Sequence, residues 1–463
     1  MFKGGVHFNI SERRVLLRLV DVASMLFVLC FVSSTFNFDY FTISEERWRW
    51  VFVLILYISI FGTIFELYDL QKSSKLDKIF TSIVFTVSTT VLFYFLTPFF
   101  TPELPNNRLQ ILYFYFSILF ALLAWRWMYL TFIVSPRFFK RVLVVGETSN
   151  LGVIIDVFKQ ADPNYKISGF VNCESDRVAS LTFDGVIEYQ TDEIVEIVRR
   201  EGIMEIVVVN YKPDTITPDV YQSLITVLES GVPVREYTQV FEDMTNRVPV
   251  QFVGKDFYKY FPFSRNNKNR LYRFFQRVFD IVISVVGMVM SLVFVPFIIL
   301  GNLIGNRGPL FYTQERVGLN GKVFKIIKYR TMVKNAETAG AVWAVKNDCR
   351  ITPFGRFLRH SRLDEIPQFL NVLLGDMSFI GPRPERPVFV KQLSEVLPFY
   401  ETRHMIKPGL TGWAQVKTRY GSSLDDSLLK LQYDLYYIKH RSLFLDINIM
   451  IKTLTTVIFF RGQ

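Results

Sequence analysis

The stretch RHSRLDEIPQ, residues 359–368, sets Asp364 beside Glu365 among basic residues. Ser361 three residues before Asp364 and Pro367 three after it predict a helix entrance, because proline is tolerated in a first turn. The helix would run through QFLNVLL to Gly375 as its C′ residue. Free N–H groups, the helix dipole and the nearby Arg359 and Arg362 then favour ionised, exposed carboxylates. Ionised acids suit a nucleophile or a metal ligand better than a general acid. Neighbours on a helix project about 100° apart, so the pair cannot flank one bond as a glycosidase pair does. On spacing alone the same two acids also read as ordinary first-turn residues.

The basic residues shift that balance. GPRPERP fixes Arg383 and Arg386 in a proline-stiffened segment, and pre-set guanidinium forks suit bidentate phosphate binding. Lys328 and Arg330 in KYRTM alternate with apolar or aromatic neighbours like one face of a strand. Arg316 sits between Glu315 and a glycine turn. Two ionised acids ringed by such cations describe a phosphate-handling site.

The elements that must carry this site are largely apolar. Of 463 residues, 50% are hydrophobic and 16% aromatic, a profile that points to a membrane protein. Runs at 15–36, 51–67, 79–96 and 109–134 are long enough to cross a bilayer as helices. Lys3, Arg13 and Arg14, then Lys72, Lys75 and Lys78, then Arg137, Lys140 and Arg141 fill three flanks, against Arg47, Arg49 and Arg108 in the other two. That bias places both ends of a four-helix block on the cytoplasmic side. Asp21 and Glu66 near helix ends read as snorkelling or paired. A net charge of +11 beside such segments fits an anionic lipid surface or phosphorylated substrates. It does not form one groove-sized face, which argues against nucleic acid. Cys30, Cys173 and Cys349 lie far apart and read as buried thiols in a reducing compartment.

From Lys140 the pattern changes. RVLVVGETSNLGVIIDVFKQ reads as a buried strand, a glycine turn and an amphipathic helix, and MEIVVVN and VPVREY supply further strands of a parallel sheet. Gly146 and Gly152 lack the middle glycine of a dinucleotide fingerprint, and Glu147 would repel a phosphate there. A structural or regulatory Rossmann-like α/β domain is the better reading than a cofactor site, and an NAD-dependent enzyme is disfavoured. Beyond it, Arg265, Lys268, Arg270, Arg273 and Arg277 lead into an apolar run at 278–304, followed by Arg307, Arg316, Lys322, Lys325, Lys328 and Arg330. Basic flanks on both sides ask for one membrane face, so a re-entrant helix broken at Pro296 is expected rather than a span. The apolar run after His440 carries Asp446 and Lys452 and reads as an interfacial helix.

Four stretches, GPLFYTQERVGLNGKVFKIIKYRTM, LDEIPQFLNVLLGDMSFIGPRPERP, IKPGLTGWAQV and YDLYYIKHRS, occur in order between Arg270 and the C-terminus. This third closely resembles the bacterial sugar transferases, monotopic polyprenyl-phosphate glycose-1-phosphate transferases. The preceding parts resemble by architecture their long-form members, which initiate exopolysaccharide or O-antigen synthesis. The resemblance implies a membrane α plus α/β architecture: a four-helix transmembrane domain at 1–136, the α/β domain at 137–255, a basic linker at 256–276 and a catalytic domain at 277–463. It implies that Asp364 attacks the β-phosphate of a UDP-sugar, releasing UMP. Polyprenyl phosphate would then take the sugar phosphate from the aspartyl adduct. Glu365 would assist, Mg²⁺ would sit at Asp364 and the diphosphate, and Arg383, Arg359, Lys328 and Arg330 would line the site. The implied setting is the cytoplasmic face of a bacterial inner membrane, among membrane lipids, with a homodimer as a further expectation. Where the family carries serine before the helix-breaking proline, this chain has Val295, and Ser291 a turn earlier would take over the bond to a freed carbonyl. A non-catalytic membrane scaffold or nucleotide-sensing regulator is the competing expectation; it requires no role for Asp364.

Overall fold

The computed structural model describes residues 10–36, 38–41, 47–68, 76–132, 139–147, 151–162, 164–173, 186–209, 216–252, 267, 269–334, 336, 348–418, 421 and 423–458. Lys3, Lys72, Lys75, Arg137, Arg265, Lys268 and most of the expected linker lie outside them. The chain divides into two compact units, 1–245 and 246–463.

The first unit opens with α1 (Ile10–Thr35), α2 (Trp48–Ile64), α3 (Leu76–Leu96) and α4 (Leu109–Phe132). Three of these are long and apolar enough to cross a membrane, and α2 is a shorter apolar helix of 17 residues. Leu17, Met25, Leu29, Leu54, Ile58, Ile83 and Ile118 form the bundle interior. Phe27, Phe52, Phe80 and Phe120 point outward, as apolar solvent outside the bundle permits. Asp21 does not snorkel. It is buried and accepts from Arg126 Nη2 at 2.7 Å. The thiols are free, but Cys30 and Cys349 are exposed and Cys173 is half-buried, so the expectation of buried cysteines fails. Cys30 lies on the outer face of α1.

An α/β sandwich follows: β1 (Lys140–Gly146), α5 (Leu151–Ala161), β2 (Tyr165–Asn172), β3 (Ile187–Tyr189), α6 (Ile194–Arg200), β4 (Glu205–Val209), α7 (Pro218–Glu229), β5 (Val234–Glu236) and α8 (Tyr237–Thr245). All strand pairs are parallel, in the order β3-β2-β1-β4-β5. Ligands of such sheets sit where the strand order reverses, here beyond the ends of β1 and β4. At that end Glu147 N–H extends the β1–β4 ladder by donating to Val209 O at 3.2 Å, and Glu147 is buried. Gly146 has φ +147°, and a Cβ there would stand 1.9 Å from Val209 O. Its glycine therefore serves strand packing.

The second unit holds α9 (Arg270–Ser291), α10 (Val295–Gly301), the antiparallel hairpin β6 (Phe311–Val317) and β7 (Val323–Tyr329), α11 (Pro353–His360), α12 (Gln368–Leu374), β8 (Ser378–Ile380), α13 (Pro387–Val396), β9 (Gly409–Thr411), α14 (Trp413–Lys417), α15 (Leu424–His440) and α16 (Leu443–Ile458). Residues 246–252 belong here: Val248 N–H donates to Gln432 O, and Val248 and Val250 are buried with Trp413, Leu431 and Leu435. Asp446 is no interfacial charge, since it accepts from the Tyr437 hydroxyl at 2.7 Å and from Tyr272.

Helix α9 is amphipathic in the inverted sense. Tyr272, Gln276, Arg277, Asp280, Ser284, Gly287 and Ser291 recur at helical spacing on the face turned to the unit's body. Asp280 accepts from Ser378 Oγ and Phe379 N–H at 3.0 and 2.8 Å. Arg277 caps α12, donating to Val372 O and Leu373 O at 2.7 Å each, where a cation meets a helix C-terminus. Gly287 seats the Phe369 ring. Phe274, Phe275, Val278, Val282, Val285 and Val289 face outward. The helix stops at Ser291, and α10 starts with Pro296 at its first turn. Ser291 Oγ donates to Met288 O at 2.6 Å. It does not serve the Leu292 carbonyl, which Pro296 leaves free, because it precedes that carbonyl in the helix. α10 packs back on the same body, Phe297 against Phe354 and Phe357 and Gly301 under the Phe354 ring.

Candidate active site

Asp364 and Glu365 do not begin a helix. α11 ends at His360 with Ser361 as its C-cap, Arg362 turns into the left-handed region at φ +57°, and the two acids occupy a 3-10 turn, Leu363–Glu365. Pro367 is the N-cap of α12, so the helix begins after it and not at the acids, and Gly375 takes the expected C′ conformation at φ +93°. The turn lies inside the unit: Asp364 is buried and Glu365 half-buried, contrary to the exposed first-turn reading.

Three straps bring cations to this turn. Asn371 of α12 accepts from Ile327 N–H at 3.0 Å and donates to Lys325 O at 2.8 Å, acting as a strand neighbour to β7. Lys328, one residue further, then reaches Glu365 Oε1 at 3.3 Å. The GPRP segment is held from two sides. β8 and β9 pair in parallel, with Gly409 N–H on Pro382 O at 2.8 Å. Arg316 donates to Pro384 O at 3.0 Å, while Val317 N–H donates to Glu385 O at 2.9 Å. So fixed, Arg383 Nη2 meets Glu365 Oε1 at 2.6 Å.

The two acids are electrically unlike. Burial pushes Glu365 up, but the Arg383 and Lys328 charges overcome it and hold the carboxyl well below its usual range. Burial and the adjacent Glu365 charge push Asp364 up to about 6, against the pull of Lys328, Arg359 and Arg383. Burial holds the Lys328 ammonium below its ordinary value. Glu365 is thus a fixed counter-ion. Asp364 carries no hydrogen bond to another described side chain and is the uncommitted acid. Arg359, whose charge pulls on the Asp364 carboxyl, is held with Nε on Thr331 Oγ1 at 2.9 Å.

Not every expected residue joins the pair. Arg330 is buried and spends Nε on Pro309 O and Nη2 on Asn306 O, at 2.8 and 3.0 Å, so it braces the chain after α10. Its strand ends at Tyr329, and the face alternation that grouped it with Lys328 ends there too. Arg316 positions the proline segment rather than the acids. Arg386 is the N-cap of α13, its guanidinium 5.6 Å from the Phe389 ring. Three further residues are brought in by the fold. Arg403, buried, donates to Arg383 O at 3.0 Å, to Asp434 at 2.7 Å and to the Tyr400 hydroxyl at 2.6 Å. Lys430 of α15 adds a cation near Arg383. Asp434 carried a signal: it interrupts the apolar stripe of Leu431, Leu435 and Ile438, where only a partnered charge is stable.

A magnesium ion fits this donor set in one way. Among the described residues no three His, Cys, Asp or Glu cluster to form a cage. Asp364 alone offers an uncommitted carboxylate, and Mg²⁺ commonly takes one or two carboxylates with substrate phosphate oxygens.

Comparison with known proteins reaches the same region. Residues 271–460 match the family model described as bacterial sugar transferase, and residues 63–209 match one described as CoA-binding domain. Over 255 residues the chain is 36% identical to the UDP-N-acetylgalactosamine-undecaprenyl-phosphate N-acetylgalactosaminephosphotransferase of Aeromonas hydrophila, covering 54% of this chain and 58% of that one. It is 43% identical to the UDP-glucose:undecaprenyl-phosphate glucose-1-phosphate transferase of Xanthomonas campestris pv. campestris, over 35% of this chain and 34% of that one. The protein of that name from Caulobacter vibrioides is 36% identical over 40% of this chain and 69% of its own length. The match thus spans little more than half of the Aeromonas protein and a third of the Xanthomonas one.

Proposed function

The chain belongs to the bacterial sugar transferase family, and from that premise we propose that it transfers a sugar 1-phosphate from a UDP-sugar to undecaprenyl phosphate, as an initiating step of surface polysaccharide synthesis. The observation that carries this reading is the division of labour in the acid pair. Glu365 is neutralised by Arg383 and Lys328, and Asp364 beside it is unbonded and largely ionised at neutral pH.

In this reading an Asp364 carboxylate oxygen attacks the β-phosphorus of the UDP-sugar. The bond to the bridging oxygen breaks, and UMP leaves with its electron pair. An oxygen of the lipid phosphate then attacks the aspartyl-bound phosphorus, forming the diphosphate and returning the electron pair to Asp364. Arg383 and Lys328, already fixed by Glu365, face charge developing on the phosphoryl oxygens, which such preorganised cations stabilise without reorganisation. Mg²⁺ held at Asp364 would supply further neutralisation of the diphosphate. α9 and α10 both pack on the body that carries the acids, which supports a helix that enters and leaves one membrane face, the cytoplasmic one on the charge bias.

The test is UMP release by purified protein given undecaprenyl phosphate, Mg²⁺ and a panel of UDP-sugars, including UDP-glucose and UDP-N-acetylgalactosamine. Release with one donor, lost in Asp364→Asn, is expected. Folded protein that releases no UMP from any donor sinks the transferase reading in favour of a scaffold.

A further inference from the structure

Asp364, Gln368 and Asn371 follow one another at helical spacing. The main chain from the acid turn into α12 stays helical, with Ile366 and Pro367 both in the right-handed region. Two bonds carry it past Pro367, Ile366 N–H to Leu363 O and Phe369 N–H to Ile366 O. Gln368 is three residues on from Glu365 and four on from Asp364, and neighbours at those spacings share one side of a helix. Asn371, three residues further, is the one that meets β7. All three side chains are buried, Asp364 at 8%, Gln368 at 3% and Asn371 at 1% exposure.

The three are unevenly satisfied. Asn371 spends both ends of its carboxamide on β7. Glu365, next to Asp364, accepts from Arg383 and Lys328. Gln368 Nε2 is buried with no acceptor, although two carboxylates stand within a turn of it along the chain. A buried donor left unpaired is costly, and nearly all buried polar groups in folded proteins are bonded. A donor that passes over the protein's own acceptors, beside an uncommitted carboxylate, has its partner in a group that arrives from outside. With Lys328 and Arg383 alongside, an oxyanion is the group favoured there.

We propose that Gln368 is a further catalytic residue, whose Nε2 donates to a non-bridging oxygen of the phosphoryl group received by Asp364. The inference rests on the reaction proposed above. It adds no covalent step: the amide keeps both protons, and the oxygen it meets shares the charge spread over the phosphoryl group in transit. Arg383 and Lys328 are already engaged by Glu365, so Gln368 supplies a donor that no carboxylate competes for. Donors placed in advance at such an oxygen act mainly on turnover.

The test measures UMP release and thermal unfolding of the full-length protein in detergent, with undecaprenyl phosphate, Mg²⁺ and the same panel of UDP-sugars. Gln368→Met removes the amide and keeps the length of the side chain. Its kcat should fall about a hundredfold, while KM for the UDP-sugar changes by less than about threefold. Because the amide bonds nothing in the free protein, the variant should unfold at or above the wild-type midpoint, whereas loss of a merely structural residue would lower it. Gln368→Glu keeps the shape and replaces the donor by an acceptor, so its kcat should fall at least as far. Wild-type kcat in either variant, or a lowered midpoint in Gln368→Met, overturns the role of Gln368 and leaves the transferase reading intact. Wild-type protein that releases no UMP from any donor overturns that reading, and the role of Gln368 with it.

Discussion

Replacing Asp364 by Asn should disable transfer and at the same time stabilise the second unit. Burial and the Glu365 charge lift the Asp364 carboxyl from 3.8 to about 6, so the folded state resists its ionisation. Each tenfold change in an acidity constant corresponds to about 1.4 kcal/mol, so roughly 3 kcal/mol is forfeited at neutral pH. The sign follows from linkage. A carboxyl with a raised folded value weakens the fold as pH rises from its unfolded value through about 6, and costs nothing well below 3.8. Glu365 has the opposite sign, since its contribution is present above its unfolded value and is lost in acid; the substitution keeps that contribution. The amide that replaces the Asp364 carboxyl would be neutral at every pH. Thermal unfolding in detergent at pH 7.5 should therefore show the variant higher by roughly 6–12 °C, for about 3 kcal/mol in a unit of this size. At pH 5 the wild-type carboxyl is mostly protonated, and the gap should shrink to about half. A variant that unfolds below wild type at pH 7.5, or a gap that ignores pH, would refute the reasoning that burial and Glu365 strain this carboxylate.

Other outcomes follow from the same geometry. UMP release should rise as pH is raised through about 6, because only the ionised Asp364 can attack; a flat profile between pH 5 and 8 would remove it as nucleophile. Asp434→Asn leaves the buried Arg403 without its counter-ion and should cost about 3–5 kcal/mol, read as a lower thermal midpoint. Its turnover should drop as well, since Arg403 holds the main chain of Arg383, and unchanged stability and turnover together would contradict that link. Gly146→Ala forces a Cβ into Val209 O and should destabilise the α/β sandwich by more than about 3 kcal/mol, visible as rapid limited proteolysis of residues 140–245.

Much of this was legible in the residues alone. The helix of QFLNVLL and its glycine stop follow from local propensity and capping, and both appear. The adjacency of Glu365 and Arg383 was legible only as chemistry, an acid and a proline-fixed arginine suited to one site. Their contact depends on β8 pairing with β9 across 31 residues of chain, from Ser378 to Gly409, which no local pattern encodes. Arg330 departs from its expected place for the converse reason. Alternation assigns faces only while a strand lasts, and β7 ends one residue earlier. The burial of Asp364 also came from tertiary packing, because a turn between two helices exposes or hides its side chains according to what lies beneath. Arg403 sits in a stretch, ETRH, that reads as surface until Asp434 is seen opposite it.

The inverted face pattern of α9 bears on how this protein can be handled. Its polar side supplies the hydrogen-bond partners of β8 and the cap of α12, so the helix is a wall of the second unit and not a tether attached to it. Deleting it to obtain a water-soluble fragment would strip Ser378, Phe379 and the end of α12 of their partners. Repainting only the outer stripe, Phe274, Phe275, Val278, Val282, Val285 and Val289, with charged residues would instead trade lipid for water as the surrounding solvent while the wall stays standing.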